Sequence, residues 1–175
     1  MINFQRAASE QGEEFRRQCV NACRYAGFEI VGSEYRVPDV GLTLDVHLRN
    51  LHGIDFLVEC KGSMRGNRPG CMRTDTVKKA IANGFLLSLS EVLPHFPPML
   101  LMTSHVAESG DALTMLEHVP TTVVLDVLNP YNHSRHLAWW ARADDDAIRN
   151  HMEANPTLGE LVRRRWAMCP VAVDD

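Results

Sequence analysis

At 175 residues the chain has the length of one domain, large enough to bury its own core, and its 45% hydrophobic content excludes a disordered or fibrous class. The formal net charge of −4 excludes a uniformly basic nucleic-acid coat, so any grip on an anionic partner has to come from local clusters. No run of 18 apolar residues occurs and Met1-Ile2-Asn3-Phe4-Gln5-Arg6 has no signal-peptide core, which predicts a cytoplasmic protein with no membrane partner.

In chain order, Gly12-Glu13-Glu14-Phe15 opens a helix expected to end at Ala26-Gly27. Phe15, Cys19, Ala22, Cys23 and Ala26 form its apolar stripe. Phe28-Glu29-Ile30-Val31 reads as a first strand, and Asp39-Val40-Gly41 as turn chemistry. Leu42-Thr43-Leu44-Asp45-Val46-His47-Leu48 reads as a second strand. Period-2 alternation places Leu42, Leu44, Val46 and Leu48 on one face and Thr43, Asp45 and His47 on the other. Asn50-Leu51-His52-Gly53 is a hairpin link, and Ile54-Asp55-Phe56-Leu57-Val58-Glu59-Cys60-Lys61 is the returning strand.

Next comes Gly62-Ser63-Met64-Arg65-Gly66-Asn67-Arg68-Pro69-Gly70-Cys71-Met72-Arg73, a loop with three arginines and no acid. Residues 73–90 read as a helix capped by Thr74, Asp75 or Thr76, with Val77, Ala80, Ile81, Gly84, Phe85 and Leu89 as its packing face. Residues 98–103 and 121–127 read as further strands. Beyond Pro130, Leu137-Ala138-Trp139-Trp140-Ala141 is apolar, Asp144-Asp145-Asp146 can cap a helix to Ala154, and residues 157–166 read as a last helix. His133 and His136 have the spacing of a metal pair but no companion ligands. The five cysteines (19, 23, 60, 71 and 169) form no C-x-x-C pair. Cys19 and Cys23 are expected as core thiols, and neither a disulfide framework nor a zinc site is expected.

The chemistry concentrates in the hairpin. If the chain turns about Leu51 and His52, Asp45 falls nearly opposite Glu59, with Lys61 on the same face. Two adjacent carboxylates repel unless a cation sits between them, and hard oxygen donors suit Mg²⁺. A lysine beside them can orient a water or stabilise charge developing on a phosphate. This pattern predicts metal-assisted phosphodiester hydrolysis; the alternative is a solvated hairpin face.

Asp45, the hairpin, and Leu57-Val58-Glu59-Cys60-Lys61-Gly62-Ser63 together resemble the signature of the PD-(D/E)XK nuclease superfamily, the restriction-endonuclease-like fold. Element order supports the resemblance over residues 9–128. It implies an α/β domain with a central mixed sheet flanked by helices, an α-β-β-β-α-β core over residues 1–128, and a small helical extension over 129–175. It further implies that Asp45 and Glu59 hold Mg²⁺ or Mn²⁺, that the Cys60 carbonyl adds a ligand, and that Lys61 positions the attacking water. Pro38-Asp39 competes with Asp45 for the aspartate of the signature, but counting back through the turn leaves Asp39 too far from Glu59.

Many members place a glutamate on the first helix just after an aromatic residue. Here Phe15 is followed by Arg16, and Glu13, one turn earlier on the same edge, is the expected substitute. A macrodipole-favoured acid in the helix's first turn is the competing reading of Glu13. The expected activity is a metal-dependent endodeoxyribonuclease acting as a homodimer. Arg65, Arg68 and Arg73, with Lys78 and Lys79, would contact DNA phosphates. A catalytically silent DNA- or protein-binding module of a defence or recombination complex is the other reading.

Overall fold

A computed structural model of the chain describes residues 4–62, 70–92, 99–118, 126–128 and 134–154. Within them the architecture is α/β, one mixed sheet with helices on both faces. Helix α1 (Phe4–Ala26) leads into an antiparallel meander of β1 (Glu29–Val37), β2 (Leu42–Arg49) and β3 (Asp55–Lys61). Helix α2 (Thr74–Ser88) then crosses to β4 (Met99–Thr103), and α3 (Asp111–Glu117) to β5 (Asp126–Leu128). Both crossovers add a parallel strand, giving the spatial order β1-β2-β3-β4-β5. Helices α4 (Ser134–Arg142) and α5 (Asp145–Ala154) close the described chain.

Burial follows from the sequence periods. β4 is buried at all five positions because both its faces are covered, hence the unbroken Met-Leu-Leu-Met run. Its side chains divide strictly. Leu100 and Met102 join Phe15, Cys19, Cys23, Phe56, Val58, Leu137 and Trp140 in a core beneath α1 and α4, while Leu101 meets Val77, Ala80, Ala112 and Leu116 beneath α2 and α3. Trp140 is fully buried, edge-on to Phe56 at 5.9 Å between ring centroids. Asn50 ties this layer to the hairpin, donating to the Trp140 and Ala143 carbonyls and accepting from the His52 and Ile54 N–H groups. Asp144 accepts from the Ala147 N–H and so caps α5.

Several expectations need correction. Helix α1 starts at Phe4, eight residues before Gly12, which is absorbed into the helix. β1 runs on to Val37, with a register shift between Ile30 and Gly32 and a left-handed backbone at Glu34 (φ 63°). In β2 the buried and open positions alternate as expected, but the apolar ones do not share one core. Val46 and Leu48 pack beneath α1, whereas Leu42 and Leu44 pack with Val37, Leu57, Leu87 and Met99 on the α2 side. The division falls where pairing with β3 stops, after Val46↔Val58. None of Thr74, Asp75 or Thr76 is the N-cap of α2; that position is Arg73, which makes no side-chain capping bond. The buried stripe of α2 is Val77, Ala80, Gly84 and Leu87, while Phe85 and Leu89 are exposed. Helix α3 has no counterpart in the expectations. The expected strand positions 121–125 and the helix at 157–166 lie outside the described residues. No described helix is long and apolar enough to cross a membrane.

Candidate functional site

The hairpin register is fixed by Arg49↔Asp55, Leu48↔Phe56, His47↔Leu57 and Val46↔Val58, and the pairing ends one step before Asp45 and Glu59. The turn that fixes it uses Gly53 at φ 76°, a backbone open to glycine at no steric cost, and the Asn50 side chain as its internal acceptor. Beyond Val46 the two strands part, and the Asp45 carboxylate fills the fork. Its Oδ2 accepts the Cys60 N–H at 2.6 Å, in place of a backbone ladder bond. Asp45 is therefore anchored to the backbone between Glu59 and Lys61.

Glu59 is buried, with 2% of its surface exposed. Its Oε1 pairs with Lys61 Nζ and accepts a hydrogen bond from Asn83 Nδ2 at 3.0 Å, across from α2. Burial drives the Glu59 carboxyl above its ordinary range. Lys61 and Asn83 oppose that shift, and the negative charge of Asp45 adds to it. Burial alone would lower Lys61, but the carboxylates of Glu59 and Asp45 hold it above its ordinary range. Glu59 and Lys61 are thus paired beside the Asp45 charge, with burial opposing the ionised form of both.

The C-terminal end of β3 is tightly walled. A side chain at Gly62 would collide with the Phe15 ring, so α1 crosses directly over the residue after Lys61. A side chain at Gly70 (φ 60°) would meet Thr103 Oγ1 and the Lys61 carbonyl. Cys71 continues that anchor, its N–H donating to the His105 carbonyl (2.8 Å) and Thr103 Oγ1 (3.1 Å). Gly62 and Gly70 are thus placed at the ends of β3 and β4. Burial pushes the Cys71 thiol up to about 11 and holds Cys19 well above its range, with the Cys60 thiol adding to the shift at Cys19.

Of the residues expected at the site, Asp45, Glu59, Cys60 and Lys61 come together. Glu13 does not join the two acids. It is more than half exposed and pairs with Arg16 at 2.9 Å. Asp39 stands in the turn before β2, accepting from Ser90 Oγ and the Glu91 and Val92 N–H groups. Arg73 is exposed and held by both oxygens of Asp75; Lys78 and Lys79 are exposed on α2. Arg65 and Arg68 lie outside the described residues. Among the described residues no group of three or more His, Cys, Asp or Glu side chains is arranged to hold a metal ion.

Two residues enter that sequence reasoning did not select. Asn83 holds Glu59 from α2; the available signal was an amide one residue from the buried stripe. Arg16 lies between Glu13 and Glu34 and feels the charge of Asp45. Comparison with known protein families, curated proteins and solved structures gives no match.

In donor chemistry the site fits a hard divalent cation that keeps several waters. Asp45 and Glu59 are carboxylates, and the Asp45 charge that adds to the upward shift of Glu59 is what a cation would offset.

Proposed function

We propose that this chain is a metal-dependent endodeoxyribonuclease of the PD-(D/E)XK type, with a restriction-endonuclease-like core and a helical C-terminal extension. The observation that carries this reading is the buried Glu59, paired with Lys61 and destabilised by Asp45, at the fork where β2 leaves β3. Solvated surface charge is not built in this way. Perturbed, mutually opposed ionisable groups at a strand end mark sites where charge is held ready for a reaction.

Asp45 and Glu59 would hold Mg²⁺ or Mn²⁺, with the Cys60 carbonyl as a further ligand. A bound ion supplies Lewis acidity to a phosphate oxygen and lowers the pKa of its water. The chain supplies the rest. The Cys60 N–H keeps Asp45 in the fork, and Asn83 keeps Glu59 oriented. Lys61 would orient the attacking water and donate to the phosphate. Arg65, Arg68 and Arg73, with Lys78 and Lys79, grip the DNA backbone, and a two-fold homodimer presents one site to each strand.

A second reading has its own observation. Lys61 already neutralises Glu59 without a metal, and Glu13 supplies no third carboxylate. That arrangement suits a silent nuclease-like module that binds DNA or a partner protein. Supercoiled plasmid incubated with the protein and Mg²⁺, Mn²⁺ or EDTA separates the two. The nuclease nicks or linearises plasmid only with metal, and Asp45→Ala and Glu59→Ala abolish cleavage while Lys61→Ala still binds metal. Cleavage unaffected by either carboxylate change would reject the site.

A further inference from the structure

The site has a neighbour on α1 that the scheme above leaves unused. Arg16 and Arg17 each pair with the glutamate three residues earlier, yet their surroundings differ sharply. The Arg17 side chain is 70% exposed, that of Arg16 only 24%. Arg16 follows Phe15, whose ring lies against Gly62 immediately after Lys61. One turn further along α1, Cys19 is fully buried against Cys60, the residue whose N–H holds Asp45. Arg16 is therefore fixed at the Asp45 side of the fork by the packing on either side of it.

Its terminal nitrogens are oriented from the solvent side. Glu13 takes Nη2 at 2.9 Å and Glu34 approaches Nη1 at 3.7 Å, with their side chains 55% and 69% exposed; neither engages Nε. Glu34 reaches this position from a left-handed backbone, a conformation costly for a residue with a side chain. The cluster of Glu13, Glu34, Asp45 and Glu59 against Arg16 and Lys61 carries two surplus negative charges. A divalent cation would offset them, and the planar donors of a permanently charged guanidinium suit a phosphate.

We propose that Arg16 is a phosphate-binding residue of this site, donating to a non-bridging oxygen of the DNA phosphodiester on the Asp45 side of the fork. This rests on the nuclease reading, and the test separates the two. A 12-bp DNA duplex in Ca²⁺, chosen to hold cleavage off, is titrated into the ¹⁵N-labelled protein. The Arg16 Nε–H resonance should shift, with that of Arg17 as control. Arg16→Ala should lower the salt slope of duplex binding by about one unit and reduce kcat on plasmid at least about tenfold. Arg16→Lys should recover only part of this, because an ammonium lacks the fork of donors. Should Arg16→Ala fail to fold, Glu13→Gln takes its place and should tighten duplex binding more than Glu14→Gln, an equal charge change one residue away. An unmoved Arg16 resonance, an Arg16→Ala variant cleaving like wild type, or equal effects of Glu13→Gln and Glu14→Gln would each overturn the assignment. A wild type that cleaves no DNA with Mg²⁺ or Mn²⁺, yet shows the Arg16 shift and slope, rejects the nuclease reading and keeps Arg16 as a phosphate contact. A duplex that does not bind at all rejects both.

Discussion

The two ends of the β2–β3 hairpin carry the same kinds of side chain under opposite conditions. At the turn end, Asp55 accepts from Arg49 at 2.9 Å and faces His47 at 3.2 Å, and Asp55 and Arg49 are each about two-fifths exposed. One acid meets basic partners in water, and its charge is balanced. At the fork end, Lys61 pairs with Glu59, Asp45 adds a second negative charge beside them, and the Glu59 side chain is 3% exposed. The two ends belong to the same pair of strands; burial and the ratio of acids to bases differ. Charge at the turn end costs little and does little, whereas charge at the fork is held against its own electrostatics.

The sharpest way to break this contrast is at the fork's acids. Asp45→Asn should reduce metal-dependent plasmid cleavage by at least about a hundredfold, as loss of a group that stabilises developing charge typically does. The same change should lower the Glu59 titration midpoint, read from its side-chain carboxyl ¹³C shift, because a like charge has been removed. A midpoint that rises or stays fixed would mean that the two acids do not interact.

Next in size is the ammonium. Lys61→Met leaves Glu59 buried without its cation, and removing one partner of a buried pair costs about 3 kcal/mol. Urea unfolding should show that deficit at neutral pH. The Glu59 carboxyl already lies above its ordinary range in the fold and rises further without Lys61, so folding favours its protonated form. The deficit should therefore be small in acid, where Glu59 is protonated in both states, and widen as pH rises through the folded value. A deficit that shrinks with rising pH would contradict this account.

Gly62→Ala tests the wall of the site. The added methyl meets the Phe15 ring, and overpacking of this kind costs about 1–3 kcal/mol. The smallest effect belongs to the turn end. Asp55→Asn should move the urea midpoint less than any change at the fork, and the loss should fade in high salt, because an exposed pair is screened.

Much of this contrast is legible in the sequence. Strict alternation in Leu42–Arg49 and the Asn50/Gly53 link specify the strand and its return, and the turn residues around Asp39 mark it as local chemistry. What the sequence leaves open is tertiary. Val77, Ala80, Gly84 and Leu87 form one helical stripe in α2, and Ile81, Phe85 and Leu89 form another. Only the sheet decides that the first is buried. The apolar face of β2 is continuous in sequence yet divides between two cores, because the strand leaves its partner midway. Helix α3, seven residues long, is too short for a periodic signal. Arg16 and Asn83 become visible only once α1 and α2 are seen to cross the end of β3.

The irregularity in β1 has a consequence for how copies of the chain can meet. β1 is the outermost strand of the meander, with largely exposed residues and, among the described residues, one side facing no neighbouring strand. A regular edge of nine residues would be a template for recruiting another strand. The slip at Gly32 and the left-handed backbone at Glu34 interrupt the regular strand after Ile30. The irregular edge is thereby a poor template for adding a strand on this side.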